Sequence, residues 1–382
     1  MRRKLLVLLE TGLILAGLFL GFSAWKVYSA LEQPLHVSQE QLLDVPTGTT
    51  PNRMFYRMEG QGLLDDAFWL RLYWRFNMTG VPLHTGEYRM TPGMTVRELF
   101  EVWRRGDVVQ YSLTLVEGWN FRQVRSALAK HEKIKQTLDG LSDAEVMDKL
   151  GHPGVFPEGR FFPDTYRFVR GMTDVEFLQQ AYARLDEVLA KEWAERPADL
   201  PYRDPYQALI MASLVEKETG VPQERGQIAG VFVRRMRIGM LLQTDPTVIY
   251  GMGERYNGKI TRADLREPTP YNTYTNAGLP PTPIAMVGRE AIHAALNPTP
   301  GSSLYFVARG DGSHIFSDDL DAHNSAVREY QIKRRADYRS SPAPVIEPAA
   351  EPATEPQSPE PTEVSPEPVP EQPAPASETS PQ

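Results

Sequence analysis

The longest hydrophobic run in the chain lies at its N-terminus and predicts a membrane-spanning helix. It extends from Leu5 to Trp25 and is interrupted only by Glu10 and small polar residues, which gives enough length to cross a bilayer. Three basic residues precede the run, and such residues favour the cytoplasmic side. We therefore expect residues 1–28 to be a cytoplasmic N-terminus followed by an uncleaved signal anchor. A cleaved signal peptide is the alternative.

In residues 29–116 the apolar and polar residues alternate in segments that are shorter than the N-terminal run. This pattern predicts a small α+β domain. Strands are expected near Leu35–Val37 and at Gly86–Met90, with an aromatic-rich helix over Phe68–Phe76. A capping box at Thr95 predicts the start of another helix. The Gly-x-Tyr strand, a Pro-Gly turn and the short capped helix resemble the LysM module, which binds glycan chains. A plain α+β packing domain is the alternative.

Residues 117–200 predict a helical region that connects this domain to the next. Capping boxes at Ser142 and Thr173 predict the starts of two helices. Between them, Phe156–Tyr166 combines four aromatic residues with two prolines and a glycine. Since aromatic faces stack on sugar rings, this loop is either the wall of a cleft or a hydrophobic join between domains.

The densest signals lie in residues 201–338, which predict a mixed α+β domain around one buried helix. The stretch Ala208–Gly220 begins as a continuous apolar run and ends with Glu216 and Glu218 on either side of a lysine. A helix that is apolar on nearly all sides is buried in a domain core. We expect Gly220 to end this helix in the left-handed conformation.

The two glutamates cannot have the same role, because residues two positions apart point to opposite sides of a helix. Glu218 continues the bulkier face, which carries Met211 and Leu214, and is predicted to face a lined cleft. Burial and the negative end of the helix dipole should raise its pKa, as a general acid requires. From spacing alone, the commoner interpretation is a surface helix end with a solvated Glu-Lys-Glu patch that includes both Glu216 and Glu218.

Two polar segments follow the helix. Gln243–Tyr250 is predicted to be a loop and a strand, and Pro270–Ile284 is a long proline-stiffened loop rich in amides, hydroxyls and aromatics. Long loops without secondary structure of their own are often functional. The remaining predicted elements are a helix near Glu290–Leu296, a hairpin that joins 304–308 to 314–317, and a helix from Asp319 to Arg335.

The amino-acid composition argues against several classes of protein. The net charge is −8, but residues 341–382 contain eight Glu, 13 Pro and no Lys or Arg, so the rest of the chain is formally neutral. A neutral body argues against a nucleic-acid-binding protein, and residues 339–382 are predicted to be a disordered tail. The chain has no cysteine and lacks a His-Glu-x-x-His motif, so no metal or cofactor is expected.

Three segments together resemble the endolytic murein transglycosylase (YceG-like) family: Ala212–Thr219, Arg237–Gly253 and Tyr271–Pro281. The resemblance extends from the N-terminal anchor to about Tyr330. It implies a single-pass inner-membrane protein of α+β class, with a small LysM-like part and a mixed α+β catalytic domain in the periplasm. The buried catalytic helix belongs to that domain, and only the C-terminal tail lies outside the resemblance.

The resemblance also implies a reaction. The family cleaves the β-1,4 bond between N-acetylmuramic acid and N-acetylglucosamine without water, which leaves 1,6-anhydro ends and can terminate a growing strand. Glu218 aligns with the catalytic acid, which would donate a proton and then take one back, although Glu216 stays open. One carboxylate can serve both steps, whereas a hydrolase normally needs two, and Asp245 is the nearby candidate for a second acid.

Loop chemistry supplies the candidates for substrate binding, which can hold N-acetyl and hydroxyl groups. They are Gln243, Asp245, Asn272, Tyr274 and Asn297. The expected partners are peptidoglycan glycan strands and the membrane, with cell-wall synthases as further candidates and no nucleic acid. A non-catalytic glycan-binding scaffold of the envelope is the alternative function.

Overall fold

The computed structural model describes residues 2–332, so the predicted tail at 339–382 lies outside the described residues. In the described part the chain is α+β, with twelve α-helices and three two-stranded antiparallel sheets. The first helix, α1 (Arg2–Glu32), is long and apolar enough to cross a membrane. It is consistent with a single-pass membrane anchor.

The N-terminal module, residues 30–108, packs around a core of its own. Its elements are β1 (Gln41–Val45), α2 (Pro51–Gly60), α3 (Ala67–Asn77), β2 (Gly86–Met90) and α4 (Val96–Arg105). β1 pairs antiparallel with β2, so the order is strand, helix, helix, strand and then a third helix. The Thr95 capping box starts α4, and the predicted face with Trp103 is buried, because its apolar residues recur at helical spacing.

The strand predicted near Leu35–Val37 is wrong. Leu35 and Val37 are buried in the module core, but the chain there makes only an isolated bridge, between Pro34 and Thr95. Two apolar residues in extended backbone suffice to fill a core position, whereas a strand needs a partner along its whole length. β1 has that partner in β2 and lies a few residues later.

The middle region is held together by a second sheet and a second core. Its elements are β3 (Gln110–Thr114), α5 (Phe121–Lys130), α6 (Asp143–Leu150), β4 (Thr165–Val169) and α7 (Asp174–Ala194). β3 pairs antiparallel with β4, so the predicted boundary at 116 follows a strand whose partner lies beyond it. The capping boxes at Ser142 and Thr173 are both formed, and they start α6 and α7 as predicted.

The aromatic loop between α6 and β4 joins two cores. Phe161 is fully buried in the core of the middle region, and Phe162 is buried in the core that surrounds the next helices. The two rings therefore act as a hydrophobic join, which was one of the two predicted roles. Phe156 at the start of the loop is exposed.

The third region surrounds the helix that the sequence singled out. Its elements are α8 (Pro205–Glu218), α9 (Arg225–Arg237), α10 (Asp245–Met252), α11 (Arg289–Leu296), β5 (Tyr305–Ala308), β6 (His314–Ser317) and α12 (Leu320–Val327). All residues from Ala208 to Val215 are buried, because α8 packs against α7, α9, α10 and α11. The predicted central helix, α11 and the β5–β6 hairpin are confirmed.

One element prediction in this region needs correction. The strand predicted within Gln243–Tyr250 is wrong, since these residues start α10. An Asp-Pro pair begins a helix readily, and this start overrides the β preference of the Thr-Val-Ile that follows. The predicted last helix is helical as far as it is described: α12 ends at Val327 and continues as a π-helical turn over Arg328–Ile332, while residues 333–335 lie outside the described residues.

Candidate active site

The C-terminal end of α8 does not end as predicted. Gly220 is absent from the residues with positive φ, and the chain leaves the helix through Thr219 in an extended conformation, with φ −144° and ψ 137°. The Thr219 hydroxyl accepts a hydrogen bond from the backbone N–H of Val221 at 2.9 Å. This local bond turns the chain without a left-handed residue, so the expected glycine cap is not needed.

The two glutamates at this end contact different parts of the chain, as their spacing predicts. A carboxylate oxygen of Glu218 accepts a hydrogen bond from the hydroxyl of Thr244, just before α10. A carboxylate oxygen of Glu216 accepts one from the backbone N–H of Gly288, just before α11, at 3.0 Å. Two distinct polar sites therefore share one helix.

Burial raises the pKa of Glu218 to about 7, and three neighbours modify that shift. The Thr244 hydroxyl lowers the pKa because it donates to the charged form, and the Arg235 guanidinium also lowers it. The negative charge of Asp245 raises it further. At neutral pH this carboxyl therefore exchanges a proton readily, as an acid–base catalyst must.

Backbone and threonine contacts fix Thr244 in place. Its N–H donates to the hydroxyl of Thr273 at 3.0 Å, and the Thr247 hydroxyl lies 2.9 Å from the same oxygen. The preceding residue, Gln243, has φ +51°, which is uncommon for a residue with a side chain and recurs at functional sites. The side chain of Gln243 is exposed, so it is available to a ligand.

Asp245 and Tyr274 form a pair beside Glu218. The Tyr274 hydroxyl donates to a carboxylate oxygen of Asp245 at 2.6 Å. Burial, followed by the charge of Asp245, raises the pKa of Tyr274, so the phenol remains a proton donor. Asp245 itself is exposed. The structure thus brings together Glu218, Asp245 and Tyr274 from three separate segments.

Asn272 and Asn297 lie in different surroundings. Asn272 is 1% exposed, and its amide donates to the backbone carbonyls of Asp264, Leu265 and Glu267. That geometry holds the loop after α10 in shape. Asn297 follows α11 and donates to the backbone carbonyl of His293 at 3.1 Å. It lines a cavity of about 700 Å³ whose lining does not include Glu218.

Glu216 lies between the Gly288 backbone N–H and the Arg225 guanidinium. Its side chain is 5% exposed, and its second oxygen lies 3.8 Å from the guanidinium of Arg225, which also approaches Glu117 at 3.7 Å. Burial and then the charge of Glu117 raise the pKa of Glu216 to about 7, while the Gly288 N–H and Arg225 lower it. Glu216 and Glu218 thus both have a raised pKa, and they differ in the groups that they contact.

A third buried carboxyl, Glu158, was missed by sequence reasoning. It lies in the aromatic loop and accepts hydrogen bonds from the N–H of Phe121 and the hydroxyl of Tyr250, each at 3.0 Å. Burial raises its pKa to about 7. The only sequence signal was an acid between a proline and a glycine. Gly159 approaches Pro283 so closely that an added Cβ would lie 2.5 Å away.

Glu158 lies in the wall of a cavity of about 830 Å³ next to α8. Lys217 reaches the cavity from α8, and its ammonium donates to the Gly118 carbonyl at 3.2 Å. The other walls include Phe156, Tyr250 and Tyr271. Aromatic faces and polar groups in one concave site are typical of ligand pockets. Within residues 2–332, no group of three or more His, Asp or Glu side chains is placed to hold a metal ion.

Comparisons with known proteins match this chain to one family. The YceG-like family matches residues 43–329. An endolytic murein transglycosylase of Bacillus subtilis is 31% identical over 268 residues, which cover 64% of this chain and 72% of that relative. One from Streptococcus pneumoniae is 25% identical over 353 residues, which cover 83% of this chain and 63% of that longer relative.

A solved structure is also similar. It is the 2.6 Å crystal structure of a putative yceG-like protein from Listeria monocytogenes, at 28% identity and a TM-score of 0.49, which covers 76% of this chain and 99% of the other. The family match by itself runs from the middle of β1, through the middle region, to the residues just after α12. The chain therefore belongs to the YceG-like family.

Proposed function

We propose that the chain is an endolytic peptidoglycan lytic transglycosylase with Glu218 as its catalytic acid and base. The observation that carries the proposal is a carboxyl with a pKa of about 7 at the end of a buried helix, held by a hydroxyl donor beside an Asp–Tyr pair. The names of the Bacillus and Streptococcus relatives support the same activity.

The proposed reaction needs one carboxyl. Protonated Glu218 donates to the glycosidic oxygen while the bond from that oxygen to C1 of N-acetylmuramic acid breaks. The carboxylate then takes the proton of the muramyl 6-hydroxyl, whose oxygen bonds to C1 and closes the 1,6-anhydro ring. The Thr244 hydroxyl donates to Glu218 and stabilises its charged form between the two steps.

The neighbours of Glu218 have supporting roles in this proposal. Asp245 lies close enough to raise the pKa of Glu218, and Tyr274 holds Asp245 in place. Gln243 presents an exposed amide to the sugar, whereas Asn272 shapes the loop that carries Tyr274. The cavity beside Lys217, with its aromatic walls, accommodates further sugars of the strand.

We also propose where the enzyme acts. α1 crosses the inner membrane with its basic N-terminus in the cytoplasm, so the rest of the chain lies in the periplasm. The strand–helix–helix–strand order of the N-terminal module supports a LysM-like part that binds glycan. An anchored enzyme of this kind cuts nascent strands close to the membrane and terminates their growth, next to the synthases that make them.

The test is to incubate the full-length protein, in detergent, with purified glycan strands and to analyse the ends of the products by mass. Anhydro-muramyl ends that disappear with Glu218→Gln support the proposal. Glu216→Gln is the matched control, because it removes the neighbouring buried acid from the same helix. Hydrolysed reducing ends would contradict the mechanism, and no cleavage by the unmodified chain would favour a glycan-binding scaffold.

A further inference from the structure

Helix α3 exposes an apolar stripe although its other side is buried in the N-terminal module. Phe68 is 54% exposed and Phe76 is 72% exposed, while Leu70 and Trp74 are buried. Phe68, Leu72 and Phe76 follow each other at intervals of four residues, so they lie along one stripe of the helix. Large exposed aromatic side chains on one helix side mark a contact surface.

The start of α3 lies against α1. The ring of Phe22 in α1 meets the ring of Trp69 edge-on, with centroids 6.3 Å apart, and Trp69 in turn contacts the ring of Phe68. α1 is also fixed to the module, because Leu31 is buried in the module core. The position of α1 in a bilayer therefore determines the position of α3.

The length of α1 sets the depth of this contact. Leu5 to Phe22 is 18 residues, which rise about 27 Å in a helix at ~1.5 Å per residue. The hydrocarbon core of a bilayer is about 30 Å thick. With the basic N-terminus at one surface, Phe22 and its neighbour Trp69 therefore lie at the opposite boundary. Trp25, one turn further, is 60% exposed, as residues of an interfacial aromatic belt are.

Positive charge lies beside the apolar stripe. Arg71 and Arg75 are four residues apart on α3 and flank the stripe on one side. The guanidinium of Arg71 lies 4.0 Å from the ring centre of Tyr56, so its position is fixed. An aromatic stripe next to arginines is the pattern of a helix that lies in the headgroup region of an anionic membrane.

We propose that α3 lies in the outer headgroup region of the same bilayer that α1 crosses, with Phe68, Leu72 and Phe76 in contact with acyl chains. The inference rests on the proposed membrane anchor. Two attachment points fix the tilt and height of the N-terminal module over the bilayer. They therefore hold the candidate site at one distance from the membrane, which favours strands that are still attached to lipid.

The absence of cysteine from the chain allows a direct test by single spin labels on the full-length protein in phosphatidylcholine–phosphatidylglycerol nanodiscs. Labels at Phe68→Cys and Phe76→Cys should collide with oxygen and be protected from a water-soluble nickel chelate. Ile238→Cys is the matched control, since Ile238 is 62% exposed but lies at the end of α9. Equal chelate access at 68, 76 and 238 would overturn the inference.

A label at Leu13→Cys separates this inference from the proposed anchor, because Leu13 lies in the middle of α1 and is 67% exposed. If position 13 is in the acyl chains and positions 68 and 76 are in water, the inference about α3 fails while the anchor stands. If position 13 is also in water, the anchor fails and the inference fails with it.

Activity gives a second readout. In nanodiscs, the double variant Phe68→Glu/Phe76→Glu should cut lipid-linked strands about tenfold more slowly and cut detached strands at the unmodified rate. Ile238→Glu should change neither rate, and an unchanged melting temperature would exclude a folding defect in the double variant. Unchanged cutting of lipid-linked strands by the double variant would contradict the proposed contact.

Discussion

Glu216 and Glu218, on opposite sides of the C-terminal end of α8, are similarly buried but contact different groups. On one side, Glu218 meets a hydroxyl donor and the Asp245–Tyr274 pair at the start of α10. On the other side, Glu216 meets the backbone N–H of Gly288 and a guanidinium. Burial raises the pKa of both carboxyls to about 7.

A raised pKa therefore does not by itself identify a catalytic acid. A carboxyl whose partners are a backbone N–H and an arginine joins neighbouring parts of the fold to each other. A carboxyl next to a hydroxyl and to an exposed acid–phenol pair has groups that can meet a substrate.

Replacing the two glutamates one at a time should give the largest contrast. Glu218→Gln removes the proton that the reaction transfers, so kcat should fall by about 10²- to 10⁴-fold. Glu216→Gln keeps an acceptor for the Gly288 N–H and should lower kcat by less than about tenfold. Release of anhydro ends from purified strands measures both. A larger loss for Glu216→Gln than for Glu218→Gln would reverse the assignment of the acid.

Thr244→Val should have the next largest effect, since it removes the hydroxyl that stabilises charged Glu218. The unmodified protein should lose kcat/KM as the pH rises through about 7, because the acid must be protonated. Without the hydroxyl the pKa rises, so this loss should move to higher pH, and kcat should fall by about 10- to 100-fold. Thr275→Val is the control, because the Thr275 hydroxyl bonds the Asn272 carbonyl and the Asn276 amide and, among the described residues, makes no hydrogen bond with Glu218. An unmoved alkaline limb in Thr244→Val would contradict the contact.

Tyr274→Phe should have a smaller effect on activity. It removes the 2.6 Å bond to Asp245 but leaves the ring in the loop, and Asp245 is exposed enough to be solvated. We expect kcat/KM to fall about threefold to tenfold, as measured with the same strands. Tyr73→Phe, a hydroxyl removal at a partly exposed tyrosine of α3, is the control, and equal losses in both variants would remove Asp245 from the site.

The smallest effect should appear in stability, and there the two sides should behave alike. A carboxyl whose folded-state pKa is raised stabilises the fold fully below about pH 4.5 and loses that contribution as the pH rises through about 7. Glu216→Gln and Glu218→Gln should therefore each gain up to about 3 kcal/mol over the unmodified chain at pH 8 and nothing at pH 4.5. Thermal unfolding at the two pH values measures this. A stability gain that does not depend on pH would contradict the burial of these charges.

The sequence predicted the elements whose signals are local. The Thr95 capping box and the apolar spacing of α4 place that helix correctly, and the apolar run of α8 identifies the buried helix. Local signals failed where a distant partner decides the outcome. Leu35–Val37 lacks the continuous partner that a strand needs. The error at α10 was local instead, because the Asp-Pro start outweighed the β-branched run that follows it.

The candidate site was predictable only in part. Helix periodicity separated Glu216 from Glu218, and the loops of amides and aromatics supplied Asp245 and Tyr274, which the structure brings together. Thr244 was not distinguished from the other threonines, since its role comes from a contact with a residue 26 positions away. Glu158 was missed for the same reason, because its partners come from α5 and α10.

Three features follow from the sequence alone: the apolar N-terminal helix, the buried helix that ends in two glutamates, and the opposite directions of those glutamates. These follow from hydrophobicity and a fixed number of residues per turn, which act within one element. Only the tertiary structure decided which glutamate meets a hydroxyl and which meets a guanidinium. It also placed α3 against α1, since contacts between distant elements depend on how whole helices pack and leave no local pattern in the chain.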